Sequence, residues 1–384
     1  MTMKFQIPEF YMIHLRKHLS LAELLMLKLL IIVIQAQRYV QLGKLASDLP
    51  LPITYESRRK KIQRFLMLPQ QTVEKIWLTL ITDLLNLYFH PTETLHIAID
   101  RTKWSQFNFL IISIIWDKRA IPLYFELLPK KGNSNFQQQK AAFTQILPII
   151  RNYRIVILGD REFCSVILGN WLDEQKVNFC LRLKKSEYIL REGEMWVELK
   201  NLGIRPGMSL FLSGTKVTKF KGFKANLACK WKGKYRGVTV KEGWFILTNL
   251  KTLKAAISAY KQRFDLEEMF RDYKSGGYNI EDAQVSEPRL LTLMLLVSIA
   301  YTATIIEGKL VKKVGVQKYV ARPKQPKRIY RSHSTFQVGM RAENWVSFMD
   351  ICQEEVREYI SLHPNKRSNY QRGKSAAKLI RTVL

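Results

Sequence analysis

The sequence has 384 residues, of which 47% are hydrophobic, so the chain is long enough for two or three domains with full cores. Lysine and arginine number 62 against 32 aspartate and glutamate, which gives a net charge of +30 and a pI near 10.0. This charge favours a polyanionic partner, most often nucleic acid, with an anionic membrane or the ribosome as alternatives. Four scattered cysteines, none in a CxxC pair, argue against a disulfide framework or a zinc site and suit a reducing cytoplasm.

Residues 1–90 have helical periodicity, and no secretory signal opens the chain. A helix rich in leucine and isoleucine comes first. A short helix, a turn with Pro50 and Pro52, and a basic helix follow, which resembles a helix-turn-helix arrangement. A run of basic residues is usually only a solvated face, but the charge of the whole chain makes DNA contact an equal alternative. The candidate DNA-binding side chains are Arg58, Arg59, Lys60, Lys61 and Arg64.

From Thr94 the hydrophobic period changes to that of β-strands. Three apolar, β-branched runs, TLHIAID, NFLIISIIW and AIPLYFELL, predict consecutive antiparallel strands. A helix over Phe136–Ile150, a strand in RIVILGD, a further helix and a strand in NFCLRLK follow. Because helices and strands do not alternate regularly, the pattern predicts an α/β (mixed α+β) fold with a mixed sheet.

The second half of the chain is predicted to be more varied. Glycines break residues 187–243 into short runs, which predict a β-rich insertion with a basic, aromatic surface. The apolar stretch Leu290–Ile306 is predicted to be a buried core helix, with membrane insertion as the alternative. A basic tail follows, and part of it, including RPKQPKRIYR, is expected to order only on nucleic acid.

One segment, AISAYKQRFDLEEMFRDYKSGG, is predicted to be a single helix that ends at Gly276. At about 100° per residue, four of its polar side chains fall within roughly 60° on one face, at the border of the buried side. Glu268 is predicted to point away, toward solvent. A phenol, a carboxylate and two cations in line would suit a phosphodiester, and a surface ladder of ion pairs is the alternative. The four side chains are Tyr260, Arg263, Glu267 and Lys274.

Two aspartates end predicted strands, Asp100 in HIAIDRTKW and Asp160 in VILGDREF. Carboxylates at the ends of adjacent strands can converge, and a metal ion offsets the cost of burying them. Their hard oxygen atoms suit Mg²⁺, and with Glu267 as a third acid they could hold two ions about 4 Å apart. The alternatives are salt bridges to the following Arg101 and Arg161 or, for Asp160, a helix cap.

The spacing Tyr-x2-Arg-x3-Glu-x6-Lys, together with the two aspartates, resembles bacterial insertion-sequence transposases of the DDE type, in the Y-R-E-K signature group. Tyr260, Arg263, Glu267 and Lys274 match that signature at every spacing. The blocks IDRTKW and GDREF are similar to those around the first and second aspartates of the family. With IQRFL, LTNL and the β-rich insertion, the resemblance covers most of residues 40–310.

The resemblance implies an RNase H-like catalytic core that the insertion interrupts. It also implies metal-dependent cleavage of DNA at the ends of an element and transfer of a 3′-hydroxyl into target DNA. Two Mg²⁺ ions are expected, with Mn²⁺ able to substitute. The expected catalytic residues and metal ligands are Asp100, Asp160 and Glu267. The side chains expected to hold phosphate oxygens are Tyr260, Arg263 and Lys274.

Some members of the family hold a flipped base against a tryptophan. Unstacking a base costs a few kcal/mol, so an aromatic surface that receives the base would be useful. For each tryptophan of this chain the alternative is an ordinary position in the core. The candidates are Trp104, Trp196 and Trp231.

The predicted division of the chain has five parts. They are a helical DNA-binding region (1–90), two parts of the RNase H-like core (91–186 and 244–310), a β-rich basic insertion (187–243) and a basic helical C-terminal region (311–384). The expected partners are double-stranded DNA of element ends and target, and a second copy of the chain. No membrane is expected, and no ATP, because GxxxxGK[ST] does not occur.

The expected location is the cytoplasm, at the bacterial nucleoid. Two other functions stay open: a DNA-binding protein without catalysis, and a metal-dependent nuclease that does not join strands.

Overall fold

The computed structural model describes residues 7–104, 106–129, 132–191, 195–218, 223–235, 238–322 and 333–384. Of the basic segment RPKQPKRIYR, all but Arg322 lies outside the described residues. The chain forms two compact units. We call residues 73–272 the sheet unit, and residues 1–72 together with 273–384 the helical unit.

The helices are α1 (Glu9–His18), α2 (Leu21–Gln37), α3 (Leu42–Asp48), α4 (Tyr55–Phe65), α5 (Leu78–Tyr88), α6 (Phe136–Ile150), α7 (Val166–Glu174), α8 (Leu253–Lys261), α9 (Phe264–Tyr273), α10 (Glu287–Lys313), α11 (Thr335–Ile351), α12 (Gln353–Ser361) and α13 (Arg367–Val383). The strands are β1 (Thr94–Trp104), β2 (Phe107–Trp116), β3 (Arg119–Leu127), β4 (Arg154–Gly159), β5 (Asn178–Arg182), β6 (Tyr188–Leu190), β7 (Trp196–Glu198), β8 (Ser209–Val217), β9 (Phe223–Lys230), β10 (Lys234–Tyr235), β11 (Val238–Thr239) and β12 (Trp244–Thr248).

The sheet unit is built on one large mixed sheet. Its strand order, for the described residues, is β3-β2-β1-β4-β5-β12-β9-β8-β6-β7. Strands β1, β2 and β3 are consecutive and antiparallel, as predicted, while β4 and β5 lie parallel to β1 on its other side. This mixed α/β arrangement confirms the fold class that the sequence predicts.

Residues 187–243 are rich in strands, as their glycine-broken runs predict. These strands extend the core sheet, because β12 pairs antiparallel with β5 on one edge and with β9 on the other. The two short strands β10 and β11 pair with each other.

The helical unit contains the predicted core helix. Within the described residues, α10 alone has the length and composition to cross a membrane, and 94% of its apolar window is buried inside the structure. Two of its buried hydroxyl groups have partners within the same unit: Tyr11 Oη donates to Thr302 Oγ1 at 3.0 Å, and Gln35 Nε2 donates to Thr304 Oγ1 at 3.2 Å. Burial with satisfied hydrogen bonds is typical of a core helix.

Helices α10 and α11 cross where two glycines meet. A Cβ atom added to Gly308 would lie 2.0 Å from the carbonyl oxygen of Thr335, and one added to Gly339 would lie 2.1 Å from that of Thr304. Neither position leaves room for a methyl group against backbone atoms, which cannot move aside as a side chain can.

We therefore expect Gly308→Ala to lower the free energy of unfolding by about 3 kcal/mol or more, because the two helices must separate. Urea unfolding followed by circular dichroism measures the change. The matched control is Gly373→Ala in α13, where the added methyl group meets nothing within 4 Å and alanine should stabilise the helix by about 0.5–1 kcal/mol. Equal stabilities of the two variants would contradict the close crossing.

Candidate active site

The two aspartates lie at neighbouring positions in the sheet. The parallel pairing of β1 with β4 ends at Ile99 and Gly159, and Asp100 and Asp160 are the next residues. The prediction that β1 ends at Asp100 is wrong. The strand continues to Trp104, because residues 100–104 still pair with β2. The carboxylates therefore meet where the parallel pairing stops, at the carboxyl edge of β4.

Asp160 acts as a cap in the structure, which is the alternative role considered from the sequence. Its side chain accepts the N–H of Glu162 at 2.8 Å and caps the short 3-10 turn Arg161–Phe163. A carboxylate has about four lone-pair sites, so this bond leaves acceptor capacity on Asp160.

The arginines that follow the two aspartates bind other acids. Arg101 Nε lies 2.7 Å from Glu162 Oε1, and Arg161 Nη1 lies 2.7 Å from Glu242 Oε1. The salt bridges of Arg101 and Arg161 are therefore formed with Glu162 and Glu242, and not with the preceding aspartates that the sequence suggested.

The prediction of one continuous helix around the Y-R-E-K signature is wrong. The segment forms two helices, α8 and α9, and the joint between them contains Gln262 and Arg263. Through the joint the N–H groups of Arg263 and Leu266 bond the carbonyl oxygens three residues earlier, at 3.1 and 3.0 Å. These bonds wind the backbone more tightly than an α-helix, so the four signature residues do not form one continuous stripe.

Arg263 lies at this joint and connects two of the acids. Its side chain is buried, with Nη1 donating to Asp100 Oδ2 at 2.9 Å and Nη2 donating to Glu267 Oε1 at 2.7 Å. The structure thus brings together Asp100, Asp160, Arg263 and Glu267, all within the sheet unit. The contact between Arg263 and Asp100 joins residues 163 positions apart in the sequence.

The predicted orientation of the two glutamates is also wrong. The Glu267 side chain is 54% exposed and that of Glu268 is 36% exposed, so Glu267 is the more open to solvent. The joint changes the helical phase on which the prediction was based. Glu268 instead forms ion pairs with Arg119, at 3.4 Å, and with Arg271.

The other two signature residues have different surroundings. Tyr260 is buried and packs edge-on against Trp244, with 5.1 Å between ring centroids. Burial raises the pKa of its hydroxyl, and the positive charges of Arg263 and Arg182 work against that rise. Lys274 follows α9 in the helical unit, where its Nζ lies 2.8 Å from Glu281 Oε1.

The charge state of Asp100 suits a cation. Burial, with the negative charges of Asp160 and Glu162, raises the pKa of Asp100 to about 7, although Arg263 lowers it. Within the described residues, no three His, Cys, Asp or Glu side chains already surround one point. The donors at the site are hard carboxylate oxygens, which Mg²⁺ prefers, so the residues fit a divalent cation by their chemistry.

We expect Mg²⁺ to stabilise the protein more at about pH 8 than at about pH 5. The pKa of Asp100 is raised on folding, so its contribution to stability is full below the unfolded pKa and is lost as the pH rises through about 7. A cation can replace the lost proton only where Asp100 is ionised. Differential scanning fluorimetry should show a rise in Tm of about 2–4 °C at the higher pH and less than half of it at the lower pH. The same rise in Asp100→Asn would contradict this assignment.

The candidate tryptophans differ in exposure. Trp104 is buried and contacts Phe109, with 4.7 Å between ring centroids, so it has the core position given as the alternative. Trp196 in β7 and Trp231 are both half-buried, and Trp231 Nε1 donates to the carbonyl oxygen of Val240 at 2.8 Å.

Two aromatic residues near the site were not selected from the sequence. Trp244 and Phe264 stack with 5.8 Å between ring centroids and 28° between ring planes, and Phe264 is 41% exposed. The Arg263 guanidinium lies 5.3 Å from the centre of the Phe264 ring. The sequence offered one indication, and only for Phe264, which directly follows the signature arginine.

In the helical unit, the basic helix α4 follows the short helix α3 and a turn, as predicted. Arg58 bonds both α3 and the turn, since its Nε donates to the carbonyl oxygen of Ala46 in α3 at 2.7 Å and its Nη1 to that of Ile53 at 3.0 Å. Arg59 pairs with Glu56 at 3.7 Å. The exposed cations of this helix are Lys60, Lys61 and Arg64.

Comparison with known proteins identifies the family of the chain. A family model described as the transposase DDE domain matches residues 91–303, which is more than half of the chain. The chain therefore belongs to the transposase DDE domain family. No curated protein matches the sequence.

Among solved structures, the chain is similar to a piggyBac transposase, seen by cryo-electron microscopy in a synaptic complex with hairpin DNA. The TM-score is 0.47 at 14% sequence identity, over 91% of this chain and 78% of that one.

Proposed function

We propose that the protein is a DNA transposase that cuts DNA at the ends of its own insertion sequence and joins those ends to target DNA. The observation that carries the proposal is the arrangement of the acids. Asp100 lies beside Asp160 where the parallel pairing of β1 and β4 stops, and Arg263 connects Asp100 to Glu267. The family of the chain supports the same reaction class.

Asp100, Asp160 and Glu267 would hold the divalent metal, Mg²⁺ or Mn²⁺, with two ions as the proposed number. A metal bound there would lower the pKa of a water nucleophile and stabilise negative charge on the leaving oxygen. The raised pKa of Asp100 supports this use, because a carboxylate that is costly to ionise alone gains most from a cation.

Arg263 has two roles in the proposal. It neutralises Asp100 and Glu267 in the free protein, through one N–H bond to each. A guanidinium carries five N–H donors in a planar fork, which can also hold phosphate oxygens. Lys274 would add a point charge for phosphate. The buried Tyr260 would help to hold the Arg263 side chain in place.

Trp244 and Phe264 would receive a base next to the cleaved bond. Their rings stack beside Arg263, and Phe264 is partly open to solvent. Stacking on an aromatic ring contributes about 1–3 kcal/mol per base and offsets the cost of unstacking. The half-buried Trp196 and Trp231 stay as further candidates on the insertion.

Double-stranded DNA is the proposed partner. The net charge of +30 supports it, and the exposed cations of α4 offer phosphate contacts. Two element ends must be cut and joined to one target, so we propose that two copies of the chain act on the DNA as a dimer, at the bacterial nucleoid and without ATP.

A joining assay tests this function. Labelled duplexes carry the DNA that flanks the reading frame on either side, with a scrambled duplex as control, and a supercoiled plasmid serves as target. We expect Mg²⁺-dependent cleavage of the flanking duplexes, followed by covalent joining of a pre-cleaved 3′-hydroxyl end to the plasmid. Cleavage of all duplexes without joining would favour the nuclease, and binding without cleavage would favour the non-catalytic alternative.

A further inference from the structure

Arg119 is a buried cation that the proposed chemistry leaves unexplained. It is the first residue of β3 and follows the two-residue turn Asp117–Lys118, whose positive φ values of 49° and 63° are typical of a tight hairpin turn. Only 8% of Arg119 is exposed. A buried guanidinium is costly unless acidic groups surround it.

Those acidic groups all come from α9. Arg119 Nε lies 2.8 Å from Asp272 Oδ2, and Arg119 Nη1 lies 3.4 Å from Glu268 Oε2. Burial raises the pKa of Asp265 to about 6, and the positive charges of Arg119 and Lys118 oppose that rise, so Asp265 is within electrostatic range of the arginine. We call these four residues the Arg119 cluster.

The cluster holds one face of the helix that carries the third acid. Its three carboxylates follow the spacing i, i+3, i+7 and therefore lie on one side of α9. Glu267 points roughly 130° away from the centre of that side, and there it meets Arg263. One side of α9 thus binds β3, and another presents Glu267 to the acids of the sheet.

The helix needs such a contact because its start is not rigidly continuous with α8. The joint at Gln262 and Arg263 replaces α-helical hydrogen bonds by shorter-range ones, so α8 alone does not fix the position of α9. The Arg119 cluster supplies a second point of attachment, on the hairpin of β2 and β3. The Asp100 strand pairs with that same hairpin, through β2.

We infer that Arg119 is a positioning residue, which sets the place of α9 and so holds Glu267 in register with Asp100 and Asp160. The inference rests on the proposed function, since it assigns Glu267 to the metal.

Arg119→Gln tests the inference. A shift of about 1 Å at a catalytic group can cost about a hundredfold in rate. We expect kcat for end cleavage to fall by about 10- to 100-fold with little change in KM for DNA, and half-maximal cleavage to need more Mg²⁺. Hydrogen exchange, measured without DNA or metal, should become faster in α9 and stay unchanged in β1 and β4.

Two further variants make the test specific. Arg271→Gln removes the exposed partner of the same Glu268 and should leave both cleavage and exchange as in the wild type. Arg119→Lys keeps the charge but loses the planar fork, so it should fall between the wild type and Arg119→Gln. If Arg119→Gln does not fold, Arg119→Lys carries the comparison.

The outcomes separate the two claims. Wild-type cleavage and wild-type exchange of α9 in Arg119→Gln would overturn the positioning role, and so would equal effects of Arg119→Gln and Arg271→Gln. A wild-type protein that does not cleave flanking DNA would instead sink the proposed function. The exchange of α9 would still decide whether Arg119 holds that helix.

Discussion

Replacing Glu267 with glutamine should lower the rate of end cleavage at least about a thousandfold, whereas Glu268→Gln should lower it less than about tenfold. Glutamine has the size of glutamate but lacks the charge that a divalent cation needs. Glu267 meets the arginine that binds Asp100, while its neighbour meets Arg119 and Arg271. Single-turnover cleavage of labelled flanking duplexes in Mg²⁺ measures both rates.

Asp100→Asn and Asp160→Asn should cause losses as large as that of Glu267→Gln, because the proposed function assigns all three acids to the same metal site. All three variants should still bind the duplexes, which separates lost chemistry from lost recognition. Cleavage by Glu267→Gln at the wild-type rate, or a loss confined to Glu268→Gln, would show that the third acid is wrongly assigned.

Replacing Arg263 with methionine should destabilise the protein by about 3–5 kcal/mol at about pH 8, because it leaves Asp100, whose side chain is only 15% exposed, without its cation. Without Arg263 the pKa of Asp100 should rise further, since the arginine is the main group that lowers it. A raised carboxyl pKa removes stability as the pH rises through it, so the loss should be smaller at about pH 5. Urea unfolding at both pH values measures the effect.

The double variant Arg263→Met with Asp100→Asn tests the cause of that loss. If the unpaired charge is responsible, the double variant should recover much of the stability that Arg263→Met loses, while cleavage stays absent. Arg263→Lys, which keeps the charge, should lose less stability than Arg263→Met. Equal losses at both pH values, with no recovery in the double variant, would contradict the pairing of Arg263 with Asp100.

The strands of the core could be predicted because their signal is local. Period and β-branched composition marked β1, β2 and β3. The helix predicted over Phe136–Ile150 is α6, with the same bounds. The aspartates could be selected because each interrupts an apolar run. The end of β1 could not be predicted, since residues 100–104 stay in the strand by pairing with β2, which no local pattern reveals.

The joint between α8 and α9 shows the limit of helical periodicity. The spacing from Tyr260 to Lys274 is compatible with one helix, and nothing in the segment marks a break. The break accompanies a contact between Arg263 and Asp100, far apart in the chain, and such tertiary contacts override local propensity. For the same reason the exposures of Glu267 and Glu268 were inverted, and Arg119 was not recognised.

The extension of the sheet beyond β5 gives a third example. Glycine-broken runs indicated that residues 187–243 are rich in strands, but a strand pattern does not specify its pairing partner. In the structure β12 pairs with both β5 and β9, which joins these strands to the sheet that carries Asp100. The stacked pair Trp244 and Phe264 depends on that pairing and on the joint, so neither ring could be located beforehand.

Direct measurement of metal binding tests the central claim without relying on turnover. Electron paramagnetic resonance can count the Mn²⁺ ions bound to the protein with a pre-cleaved flanking duplex, at about pH 8. We expect bound Mn²⁺ in the wild type, approaching two ions per chain, and a clear loss in Asp100→Asn, Asp160→Asn and Glu267→Gln but not in Glu268→Gln. Undiminished Mn²⁺ binding in the three acid variants would contradict the assignment of the site.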